Sequence, residues 1–343
     1  YDGSFIAGLM ELRYIQSLPV ERIINYFEGY GFTLKKPTAH KLIEKASSLF
    51  ENLYKCIRQT ALSDPYKAAD ETYYKILVPE KNSKGKGVRK GYLWVVVGIN
   101  TRMIYLLYDD GSRSERVILN ELGSCKGIIQ SDGYSPYRKL ESDAYPHITR
   151  IPCLQHIKRK FIDCGEKDPD AKRIVELINA LYQNEHKHKV GVEGWTVEQN
   201  LMHRKKYAPD ILGEIKDVLD EIEERGDLLP KSELQEAITY LRNEWNAVVD
   251  IFNYGDTYLD NNMVERMNRY ISLSRKNSLF FGSHKGAERG AILYTIALTC
   301  RMHKVNLFEY LTDVINRTAE WQPNTPIEKY RELLPDRWEK AND

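Results

Sequence analysis

The stretch AADETYYKILV, residues 68–78, is where the chain changes its period from helical to two. Asp70, Thr72, Tyr74, Ile76 and Val78 alternate with Glu71, Tyr73 and Lys75, the pattern of a half-buried strand with an acid near its start. A Gly/Lys-rich turn from Lys81 to Lys90 follows, then two further β runs, Tyr92 to Ile99 and Met103 to Tyr108, around Asn100-Thr101-Arg102. Asp109-Asp110-Gly111 closes the third run, so the three strands predict an antiparallel meander.

Working outward, Ser114 to Leu122 reads as a helix. Gly127 to Gln130 is a short apolar run that reads as a buried strand delivering Asp132 to its end. His147 to Pro152 reads as one more strand and Cys153 to Asp163 as a helix, giving the order β-β-β-α-β-α-β-α, an α/β pattern. Upstream, residues 1–62 are helical. Val20, Ile23, Ile24 and Phe27 share a face, glycines at 29 and 31 break it, and a second helix starts at Pro37-Thr38 with Ala39, Leu42, Ile43 and Ala46 inward. This pair has the shape of a helix-turn-helix and turns Lys35, Lys36, His40, Lys41 and Lys45 outward, either toward DNA or simply as the wet side of a packing unit.

Downstream, residues 165–255 carry helical faces at Ile174, Leu177, Ile178 and Leu181, at Ile211, Ile215, Val218 and Ile222, and at Leu234, Ile238, Leu241 and Trp245. Asp260 is a good N-cap for a helix to about Ser272 that buries Met263, Val264, Met267, Tyr270 and Ile271 and leaves Glu265 off the stripe. Helices at Ala287–His303 and Leu307–Thr318 precede a Pro-punctuated tail. The expected organisation is a helical domain at 1–62, a catalytic domain at 63–164 completed at 256–305, a helical insertion at 165–255, and a C-terminal helix and tail at 306–343.

The 343 residues and 42% apolar content suffice for a sizeable core. Lys plus Arg (50) and Asp plus Glu (49) nearly cancel, so any nucleic-acid contact must come from local clusters of charge. Five scattered cysteines without a Cys-x-x-Cys pair disfavour a disulfide framework or zinc finger and suit a reducing cytoplasm. Cys153 and His156 have a zinc-like spacing but no second ligand pair. The longest apolar runs are roughly half of the about 20 residues a membrane helix needs. The sequence begins at Tyr1 with no visible secretion signal, so an upstream segment is expected.

Three acids stand out. Asp70 and Asp132 become neighbours if their strands pair in one sheet, and Glu265 at a helix start would close the site, with Asn261 and Arg269 on the same face. Magnesium is held by a few carboxylates with substrate phosphate and solvent completing the shell. Each acid also has an ordinary reading: Asp132-Gly133 as a turn, and Glu265 beside Arg266 and Arg269 as a solvated helix surface.

The combination is more specific. Asp-Glu-Thr at 70–72, Gly-x-x-Gln-Ser-Asp-Gly-Tyr-x-x-Tyr at 127–137 and Cys-x-x-His-x-x-Arg-Lys-Phe at 153–161 occur in order. Asp-Asn-Asn-x-x-Glu-Arg at 260–266, Arg-Lys-Asn-x-x-Phe-x-Gly at 275–282 and Leu-Leu-Pro-Asp-Arg-Trp at 333–338 follow. This series resembles the transposases of the insertion sequence 66 family over nearly the whole chain. The resemblance implies a ribonuclease-H-like mixed sheet with a helical insertion, an acidic triad of Asp70, Asp132 and Glu265, and two Mg²⁺ ions, with Mn²⁺ as a substitute. It also implies a bacterial DNA transposase that cuts transposon ends and joins them to target DNA. Two rival readings remain, an inactive DNA-binding remnant and a ribonuclease-H-like nuclease without strand transfer.

The resemblance implies that the family's zinc-finger-like and other N-terminal DNA-binding segments would lie upstream of Tyr1. The expected partners are DNA, a second copy of the chain as a homodimer on DNA, and accessory proteins of the element, with no membrane. Arg266, Arg269, Arg275, Lys276 and Lys285 form the densest basic region and suit phosphates. His156, Lys158, Arg159, Lys160 and Lys41 are further candidates for DNA contact. Tyr134 and Tyr137 suit either core packing or stacking on an unpaired base.

Overall fold

Apolar residues at helical spacing build the N-terminal segment as four helices, α1 (Gly3–Tyr14), α2 (Val20–Gly29), α3 (Lys36–Leu49) and α4 (Glu51–Ser63). Asp2 caps α1 by accepting from the Phe5 N–H at 2.9 Å. The two helices expected around residues 20–27 and from Pro37 are α2 and α3, with α1 and α4 as separate helices on either side. The computed structural model describes residues 1–81, 85, 87–165, 168–187, 190, 194–322 and 324–339. They form two compact units, residues 1–126 with 263–343 and residues 127–262.

In the first unit β1 (Tyr66–Leu77), β2 (Val88–Gly98) and β3 (Ile104–Leu107) pair antiparallel in the expected meander, Asp70 opposite Val95 and Val95 opposite Leu106. Two boundaries differ from the sequence reading. β1 begins at Tyr66, two residues before the run read from Ala68, because Tyr66, Lys67, Ala68 and Ala69 are all buried and show no alternation. The turn expected over 81–90 is shorter: Arg89 and Lys90 lie in β2, paired with Ile76 and Lys75, while positions 82–84 and 86 fall outside the described residues. Helix α5 (Glu115–Leu122) follows, with Ser114 as its N-cap residue.

The second unit opens with β4 (Gly127–Ser131), the short helix α6 (Ser135–Arg138) and β5 (Ile148–Pro152), which pairs parallel to β4. Its helices are α7 (Leu154–Asp163), α8 (Pro169–Lys187), α9 (Val197–Arg225) and α10 (Glu233–Ile251). The predicted apolar stripes are their inner faces, with Ile174, Ile178, Leu181, Ile215, Val218, Ile222, Ile238 and Leu241 all buried. A Thr196–Gln199 capping box starts α9.

The chain then returns to the first unit through α11 (Asn262–Asn277), α12 (His284–Met302), α13 (Leu307–Ala319) and α14 (Ile327–Arg331). α11 runs five residues past the expected end at Ser272, because Ser274 is a buried contact that no apolar stripe reveals. α12 is buried almost all round, as a helix without a polar face must be. Its Thr295 and Thr299 hydroxyls meet the outer edge of β3, accepting from the Leu106 N–H at 2.9 Å and the Ile104 N–H at 3.2 Å. A helix thus closes an edge that would otherwise pair with another chain. No helix among the described residues is long and apolar enough to cross a membrane.

Candidate active site

In the first unit, β1 carries Asp70 as a half-buried side chain. Its Oδ1 accepts from the Glu71 backbone N–H at 2.8 Å, and its Oδ2 accepts a short hydrogen bond from Asn268 Nδ2 on α11. Asn268 is one helical turn beyond Glu265, so the two side chains share a face, and that face is turned to the strand carrying Asp70. Glu265 lies in the first turn of α11 and is half-buried, as Asp70 is.

The helix and the segment after it are fastened along β1 in matching order. After the Asn268–Asp70 bond, Arg275 donates to the Tyr73 carbonyl and places its guanidinium 3.8 Å from the centre of the Tyr73 ring. The Tyr74 hydroxyl then donates to the Ser278 carbonyl, and Phe281 exchanges backbone bonds with Lys75 and Leu77 at 2.8 and 2.9 Å. Four ties in step fix which part of α11 faces Asp70. They also explain the Arg275 to Gly282 motif: Arg275 and Phe281 hold the helix on the strand.

In the second unit, Asp132 directly follows β4 and is half-buried. Its Oδ1 accepts from the Tyr134 N–H at 3.1 Å. The turn beneath it rests on a buried charge network. Arg150 on β5 donates from Nη2 to the Asp132 carbonyl at 2.8 Å and to Glu244 Oε2 at 2.5 Å, from Nε to Ser131 Oγ at 3.0 Å, and from Nη1 to Glu141 Oε1 at 2.5 Å. Arg150 and Glu244 are 2% and 1% exposed, so each neutralises a charge that burial alone would not tolerate. Burial opposes the Arg150 charge, and the Glu244 and Glu141 carboxylates more than offset it, raising the guanidinium pKa.

Tyr240, one turn before Glu244 on α10, accepts from the Gly133 N–H at 2.9 Å. Burial, then the nearby Glu244 charge, pushes its hydroxyl well above the ordinary tyrosine value, so it stays protonated. A Cβ at position 133 would come within 2.5 Å of that hydroxyl, which is why the residue after Asp132 is glycine.

Other motif residues of this unit also meet. Gln130 donates to the Pro152 and Tyr258 carbonyls at 3.2 and 2.8 Å, and the Asn261 N–H donates to Cys153 Sγ at 3.3 Å. These bonds tie the 127–137, 153–161 and 260–262 segments into one cluster around the end of β4.

The basic candidates divide between the units. In the first, Arg266, Arg269, Lys276, Lys285 and Lys41 are exposed and Arg275 is held on Tyr73. In the second, Arg159 and Lys160 are exposed, Lys158 and His156 are half-buried, and Lys160 lies 5.8 Å from the Tyr240 ring centre. Tyr137 is a core residue and Tyr134 packs edge-on against it with centroids 6.2 Å apart. Sequence reasoning missed Asn268, Arg150, Tyr240 and Glu244. Asn268 lies three residues after Glu265, a spacing that signals a shared helix face, whereas Tyr240 and Glu244 lie within the helical stretch that sequence reading had set aside as an insertion.

Asp70 thus lies within a strand, Asp132 directly after a second strand and Glu265 in the first turn of a later helix. The family model described as Transposase IS66 family matches residues 1–289, and the chain belongs to that family of DDE transposases. The uncharacterized protein y4jD of Sinorhizobium fredii (strain NBRC 101917 / NGR234) is 27% identical over 346 residues, covering 97% of this chain and 65% of that protein. From the same organism, the uncharacterized proteins y4hP and y4qI are 25% and 28% identical, covering 94% and 76% of this chain. The chain spans 60% of y4hP and 49% of y4qI.

Proposed function

We propose that this chain carries the cutting and joining centre of a DDE transposase, in which Asp70, Asp132 and Glu265 hold two divalent cations, Mg²⁺ or Mn²⁺. The observation that carries the reading is the placement of the three acids: within β1, directly after β4, and in the first turn of α11, each half-buried. Each of the three acids offers hard anionic oxygens and is partly open to solvent, as a ligand of a hard divalent cation must be.

Such ions supply Lewis-acid stabilisation of the attacking and leaving oxygens. The protein's own groups provide alignment. Asn268 and the Glu71 N–H orient the Asp70 carboxylate, and the Tyr134 N–H orients that of Asp132. Exposed Arg266, Arg269 and Lys276 suit the phosphates of the DNA strand. Water first breaks a phosphodiester bond at the transposon end, releasing a 3′-hydroxyl. That oxygen then displaces another 3′-oxygen from a target phosphate, so in this second step one ester bond is made for the one broken, and neither step needs a covalent enzyme intermediate.

The test is Mg²⁺- or Mn²⁺-dependent joining of a labelled transposon-end duplex to a plasmid, with Asp132→Asn alongside. The expected result is joined product from wild type and a loss of at least about 10⁴-fold in the variant, on the order of 5.5 kcal/mol of barrier. Cutting without joining would replace the reading with a nuclease, and joining by Asp132→Asn would remove Asp132 from the site.

A further inference from the structure

Asn268 is unusual for a residue in a helix interior. It is 8% exposed, its Nδ2 donates to Asp70 Oδ2, and its Oδ1 is buried with no hydrogen-bond partner among the described residues. The amide cannot be turned over to relieve this, because Oδ1 would then face the Asp70 carboxylate oxygen. Buried carbonyl oxygens are nearly always satisfied, so one left unpaired asks what the other half of the amide does. A side chain chosen only to pack between α11 and β1 would be leucine, which has the same outline and no oxygen to bury.

We infer that Asn268 is a positioning residue for metal binding: it fixes the Asp70 carboxylate and holds Glu265, one turn earlier on the same helix, at a set spacing from it. The inference rests on the reading of Asp70 as a metal-holding acid. With Oδ1 of Asp70 on the Glu71 N–H and Oδ2 on Asn268, the carboxylate is held at both oxygens in one orientation before any cation arrives. Groups that orient a ligating carboxylate typically change metal affinity or activity by about 10–100-fold when removed. The later ties, at Arg275, Ser278 and Phe281, hold α11 on β1 without Asn268, so the helix stays docked when the amide is replaced.

The experiment measures Mn²⁺ affinity by electron paramagnetic resonance, and thermal unfolding with and without Mn²⁺, for wild type, Asp70→Asn, Asn268→Leu and Asn268→Asp. Asn268→Leu is expected to unfold at or above the wild-type temperature without metal and to bind Mn²⁺ about 10-fold or more weakly. Asn268→Asp, which sets a second carboxylate against Asp70, is expected to unfold earlier without metal and to gain more than wild type on adding Mn²⁺.

Wild-type Mn²⁺ affinity in Asn268→Leu, or an equal gain from Mn²⁺ in Asn268→Asp and wild type, would overturn the inference and leave the metal site standing. Unchanged Mn²⁺ binding in Asp70→Asn would overturn the metal site itself, and the role of Asn268 with it.

Discussion

Asp70 and Asp132 are held by opposite means. Asp70 sits within a strand whose backbone is fixed by its ladder with β2, and its carboxylate is oriented by the neighbouring Glu71 N–H and by one side-chain amide aimed at it. Asp132 sits just past the end of a strand, in a turn whose backbone has no ladder. There the structure grips the main chain: Arg150 on the Asp132 carbonyl and Tyr240 on the Gly133 N–H. A strand supplies a rigid backbone at no further cost, so only the side chain needs orienting. A turn needs its backbone built, and here a helix and a strand of the same unit contribute to it. The stretch at 165–255, which reads in sequence as an insertion, includes α10, the helix that carries both Tyr240 and Glu244.

That difference predicts that replacing the holder of Asp132 destabilises the fold while replacing the holder of Asp70 does not. The largest effect is expected for Arg150→Met. It leaves the buried Glu244 carboxylate without its 2.5 Å partner, and breaking a buried pair from one side typically costs about 3–5 kcal/mol. Urea unfolding reads this directly. Arg150→Met with Glu244→Met is expected to recover most of the stability but not the joining activity, since the Asp132 carbonyl still lacks its donor. A loss below about 1 kcal/mol in the single variant would mean that the network is not what holds the turn.

The contrast also explains what the sequence could and could not reveal. The meander and the order of elements were legible because alternating and 3.6-residue apolar patterns fix them. Asp70, Asp132 and Glu265 stand out as candidates because each lies within a short motif. Arg150 and Glu244 were not, because they are 94 residues apart and each looks like a surface charge until both are seen buried. Asn268 and Ser274 were hidden for a related reason: both lie on the inner face of α11, where a polar residue reads as a gap in the apolar stripe. The β1 boundary was misplaced because Tyr66 and Lys67, both buried ahead of two buried alanines, carry no alternation.

A smaller effect is expected for Gly133→Ala. The new methyl would meet the Tyr240 ring and hydroxyl at 2.5–2.7 Å, and crowding of this kind costs about 1–3 kcal/mol. Because the clash is with one side chain, Tyr240→Ala should absorb part of it, so the double variant is expected to lose less than the sum of the singles. Strict additivity in urea unfolding would place the strain of Gly133→Ala in the backbone instead of against α10.

The smallest effect is expected for Tyr240→Phe, which keeps the ring and removes only the acceptor for the Gly133 N–H, a net loss of about 1 kcal/mol. Its pH dependence sharpens the assignment. Burial raises the Tyr240 pKa in the folded protein, so the folded state keeps its proton where the unfolded chain releases it. The contribution of this hydroxyl is therefore fully present below the ordinary tyrosine value and is lost as pH rises through it toward the folded value. Between about pH 6 and 8, well below the ordinary value of about 10, the difference between wild type and Tyr240→Phe should be constant. A difference that already changes in that range would mean that the hydroxyl is not a neutral acceptor, and that something other than a protonated tyrosine holds the turn carrying Asp132.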